Sequence, residues 1–67
     1  MNRFTEIARE VLLEFFTEPL VDEIINVYVD TDQIMYDVLS QYFASWMVDK
    51  ITDRINTLYR AEESEVN

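Results

Sequence analysis

Glu6, Glu10, Glu14, Glu18 and Asp22 stand four residues apart. On a helix that spacing sets successive side chains one above another, about 6 Å apart. Like charges so placed repel and weaken a helix by about 0.2–0.5 kcal/mol per pair. The row reads in two ways. It is a solvated face that keeps the chain soluble, or a fixed anionic ridge for a cationic partner. As a ridge, its repeat approximates that of the phosphates along a nucleic-acid strand. It would then occupy a site that a basic protein keeps for DNA or RNA, with fast and salt-sensitive association. Arg9 is placed to neutralise Glu6 or Glu10 locally.

The other residues able to do chemistry make weaker patterns. Glu10/Glu14 and Asp49/Asp53 are carboxylate pairs at a spacing that suits general acid–base work. Such work needs a desolvated pocket, for which a chain of 67 residues has little room. They read as surface acids. No Ser or Thr stands near a recognisable base, so nucleophilic catalysis has no candidate. Asp30 and Asp32 match the first and third positions of a calcium loop, but Ile34, Met35 and Gln41 fall where a ligand, a glycine and a glutamate are required. They read as helix-cap chemistry. Tyr42, Phe43, Trp46 and Met47 resemble a stacking platform, yet such platforms interleave aromatics with Lys and Arg. Here Asp37 and Asp49 flank the cluster and Lys50 is the nearest base, so core or subunit interface is the better reading.

Composition narrows the classes further. With no Cys and no His, the chain has no disulfides, no thiolate or imidazole metal sites and no dyads built on either residue. No cofactor is expected. Fourteen acids against five bases give a net charge of −9, which disfavours direct contact with nucleic acid or anionic membranes and favours basic proteins. The N-terminus lacks the apolar region of a signal peptide. No apolar stretch approaches the roughly 20 residues of a membrane span. A cytoplasmic setting is expected.

These residues must be positioned by helices. With no Gly, the tight hairpin turns and phosphate loops that need positive φ have no residue to build them. Phe4, Ile7, Ala8, Val11, Leu12, Phe15 and Phe16 recur at three- and four-residue steps, which predicts a first helix over 3–17 with Asn2 as its cap. Pro19 ends that helix and opens a second, over about 18–29, after Thr17. Within it, Ile25 to Val29 is rich in β-branched and aromatic residues, so an intersubunit strand is the alternative. Asp30 and Gln33 resemble a capping box. From there one long helix is predicted to about Arg60, straight or bent around Val48–Lys50. Residues 62–67 read as a frayed acidic tail.

The expected architecture is all-α: two short helices followed by one long helix, over 1–61. A straight long helix outruns the two that would cover it. Half the residues are apolar, a large load for so short a chain. Both features predict a bundle completed by homodimerisation, with Tyr42, Phe43, Trp46, Met47, Ile51 and Leu58 at the interface. In size, charge and helicity, but in no motif, the chain is similar to small viral inhibitor proteins. The expected function is a non-enzymatic regulator or inhibitor. It would engage a basic, nucleic-acid-binding target protein through Glu6, Glu10, Glu14, Glu18 and Asp22 as a charge mimic. The alternative is a structural or assembly protein joined through apolar helix faces.

Overall fold

The computed structural model describes residues 2–65, so Val66 and Asn67 of the expected tail lie outside the described residues. Four α-helices follow one another: α1 (Arg3–Phe15), α2 (Glu18–Asp30), α3 (Met35–Ser40) and α4 (Ser45–Glu65). Among the described residues there is no strand, so the all-α expectation holds and Ile25–Val29 lies within a helix.

The first two helices form where caps and periodicity place them. The Asn2 side chain accepts from the backbone N–H and the hydroxyl of Thr5, both at 2.8 Å. It thereby satisfies one orphan donor of the first turn and the only buried polar side chain among the described residues. Phe16 ends α1 in extended backbone. Thr17 is the N-cap residue of α2 without a side-chain cap bond, and Pro19 sits in the first turn, where its missing N–H costs nothing.

The predicted long helix is two helices. Asp30 is the last residue of α2, not a cap, and Ile34 takes the N-cap position of α3. Gln33 does not close a capping box; its side-chain oxygen accepts from the Gln41 amide at 2.6 Å. The break lies at 41–44, upstream of Val48–Lys50. There the Leu39 carbonyl accepts from the N–H groups of both Tyr42 and Phe43 at 3.0 Å, and the Ala44 carbonyl opens α4. The corner uses no positive φ. It is fixed from outside by Phe16, on which the Phe43 ring stacks with centroids 4.5 Å apart.

That corner removes the reason for a second subunit to cover the rear of the long helix. The helices form a closed ring in which α1 contacts α2 and α4, and α3 contacts α2 and α4. The core takes Ile7, Val11 and Leu12 from α1, Val21 and Ile24 from α2, Val38 and Leu39 from α3, and Val48, Ile51 and Ile55 from α4. Ile51, expected at a dimer interface, is 0% exposed within one chain. Tyr42, Phe43, Met47 and Leu58 also pack against this core, and only Trp46 of that set stands out, at 65% exposed. Phe4 joins the rear of α4 to α2, lying edge-on to Tyr59 at 5.4 Å and tilted against Tyr28 at 6.1 Å. The α4 backbone continues through Glu65, into the segment expected as tail.

Candidate partner-binding surfaces

The acidic ladder is divided by the α1–α2 junction. Glu6, Glu10 and Glu14 occupy consecutive turns of α1 and are exposed; Glu18 and Asp22 belong to α2. Arginines of the same chain engage four of the five. Arg9 donates to Asp22 and lies 3.9 Å from Glu18, clamping α1 to α2. Arg54 on α4 reaches Glu14 at 3.5 Å, joining α4 to α1. Arg3 is 3.8 Å from Glu6. Only Glu10 makes no ion pair among the described residues.

Arg3 also anchors the end of α4. Its Nε and Nη2 donate to Glu62 at 2.7 and 2.6 Å, a bidentate pair between chain termini. The hydrogen bond from Arg3 holds the Glu62 carboxyl below its ordinary range and pushes the Arg3 guanidinium up. Arg9 is raised in the same way, chiefly by its bond to Asp22. Part of the ladder therefore works as tertiary clamping, with partners that local spacing did not reveal.

A second surface surrounds the α2–α3 connection. Here an open groove of about 250 Å³ is lined by Phe4, Ile34, Met35, Tyr36 and Ile55, with Thr52 and Asn56 at its polar edge. A wider one of about 640 Å³ lies beside Tyr28, Val29 and Asp32. Three large apolar side chains stand out to solvent in this region: Ile34 at 64%, Val29 at 60% and Tyr36. The Tyr36 hydroxyl donates to Asp49 at 2.9 Å, which raises the phenol above its ordinary value. Asp30, Asp32, Asp37, Asp49 and Asp53 belong to the segments that form this face, and none makes an ion pair among the described residues.

Trp46, Leu13 and Phe15 are the remaining large exposed apolar side chains. The carboxylate pairs Glu10/Glu14 and Asp49/Asp53 are exposed, outside any desolvated cavity. Among the described residues no three carboxylates converge to hold a metal ion, and no helix is long and apolar enough to cross a membrane. No protein-family model, no curated protein and no solved structure matches the chain.

Proposed function

We propose that this chain is a non-enzymatic binding module that captures a basic protein through its surface charge. The supporting observation is the row Glu6, Glu10 and Glu14, exposed at consecutive turns of one helix whose opposite face is locked into the core. Fixed on that scaffold, the carboxylates act together toward a cationic surface, and reorganising them on contact costs little. Glu18 and Asp22 contribute less to capture than spacing suggests, because Arg9 already sits between them, and Arg3 and Arg54 offset part of the charge of Glu6 and Glu14, which leaves Glu10 as the unpaired centre of the row. A nucleic-acid-binding protein is the natural target class, since its site is built for a row of anions.

The test is capture of basic proteins from lysate at low and high salt. Glu10→Lys with Glu14→Lys should abolish capture at low salt and leave the far-ultraviolet circular dichroism unchanged. Undiminished capture of the same protein by that variant sinks the reading. Assembly through apolar faces is the second reading, favoured by Trp46 at 65% exposure. It predicts salt-insensitive self-association that Trp46→Ser removes.

A further inference from the structure

The geometry points to the groove between Phe4, Ile34 and Ile55 as a docking site for a basic amphipathic segment of a partner protein, with one large apolar side chain in the groove and Lys or Arg beside it. This rests on the basic-partner reading above and adds a second surface, which supplies specificity where the α1 row supplies attraction. Charge defines the occupant. No Lys or Arg lines the groove. Asp49 is held at its edge by the Tyr36 hydroxyl, Asp37 follows Tyr36, and Asp53 follows Thr52 on α4. Lys50 and Arg54 follow Asp49 and Asp53 on α4 and Arg60 comes a turn beyond Asn56, but none of the three lines the groove, whose fixed edge charge is Asp49, held by the Tyr36 hydroxyl. An apolar hollow beside unpaired carboxylates suits a side chain that buries its apolar part and is followed by a cation. A second copy of this chain is a poor occupant, since each copy carries −9 and the face is itself acidic.

Ile34 makes the test clean. It is 64% exposed and stands at the N-cap position of α3, where asparagine is favoured. Ile34→Asn therefore removes the apolar wall and keeps the helix. The probes are an amphipathic helical peptide of leucine and lysine, and a lysine-only peptide of equal net charge, each titrated into the isotopically labelled full chain and followed by NMR. The expected result is tighter binding of the leucine–lysine peptide, with amide shifts at Ile34–Tyr36 and Thr52–Asn56. Ile34→Asn should weaken it about tenfold, the scale of one large apolar contact. Asp49→Asn with Asp53→Asn should weaken it at low salt and flatten its salt dependence. Equal binding of both peptides, with shifts along Glu6–Glu14 and none lost in Ile34→Asn, overturns the groove and leaves charge-driven capture standing. Failure of both peptides to bind overturns the two together. Free protein that sediments as a dimer, and as a monomer in Ile34→Asn, shows that a second copy fills the groove and overturns the proposed partner.

Discussion

The α1 face and the face around α3 carry the same kind of charge and treat it differently. On the first, Arg9 and Arg54 meet Glu14, Glu18 and Asp22 across helix boundaries, so carboxylates join helices to one another, while Arg3 meets Glu6 within α1. On the second, Asp37, Asp49 and Asp53 make no ion pair among the described residues, and exposed apolar side chains belong to the same face. Arg3, Arg9 and Arg54 join helices, whereas Lys50 and Arg60 make no ion pair among the described residues. Regular spacing of anions is therefore a poor guide to which anions remain free for a partner.

Both faces depend on one core, and the largest effect comes from breaking it. Ile51 is fully buried, so Ile51→Ala should cost about 2–5 kcal/mol in urea-induced unfolding and collapse the contrast between the faces. Were Ile51 instead at a subunit interface, the same change would alter the oligomeric mass and leave the monomer folded. A smaller effect tests the α1 cap. Asn2→Ala should cost about 1 kcal/mol by the same measurement, because it strips a partner from Thr5 at the start of the helix that carries the acidic row.

What the sequence made legible follows from the range of the forces involved. The ranges of α1 and α2 could be read because Asn2, Thr17, Pro19 and the three- and four-residue apolar steps act locally. The α3–α4 corner could not. Gln41-Tyr42-Phe43-Ala44 contains neither Gly nor Pro, and the turn is held by Phe43 stacking on Phe16, 27 positions back along the chain. The apolar stripe placed Ile51 and Leu58 at a subunit interface, but periodicity does not say what covers a face; here both pack into the core of one chain, where α1 and α3 lie against α4. The ladder residues were visible as a row, whereas Arg54 meeting Glu14 and Arg3 meeting Glu62 are pairings that only the fold creates. The groove was missed because one helix predicted from Asp30 to about Arg60 puts no corner between Ile34 and Ile55. The exposed aspartates following so closely on Val29 and Ile34 were the available signal.

Acid should loosen the clamp between Arg3 and Glu62. The folded-state pKa of Glu62 lies below its ordinary value because Arg3 donates two hydrogen bonds to the ionised form. A depressed carboxyl pKa contributes stability that is present above the unfolded value, near 4.5, and is lost as pH falls through the folded one. Stability should therefore decline as the solution is acidified below about pH 5, with the α4 end loosening in step. Glu62→Gln should flatten that decline, measured as the urea midpoint against pH.

The smallest expected effect separates exposure from structural use. Trp46 and Ile51 lie on the same helix, five positions apart, and were grouped by their spacing as one interface. At 65% exposure Trp46 contributes little to the monomer's fold, so Trp46→Ser should change unfolding stability by no more than about 0.5 kcal/mol. Its value lies in pairing that measurement with sedimentation at two salt concentrations. If the substitution leaves both stability and mass unaltered, the tryptophan end of α4 contributes to neither the fold nor self-association. The face around Ile34 is then the apolar surface to pursue. If it dissociates an oligomer that high salt does not, apolar assembly takes the place of charge-driven capture as the chain's principal interaction.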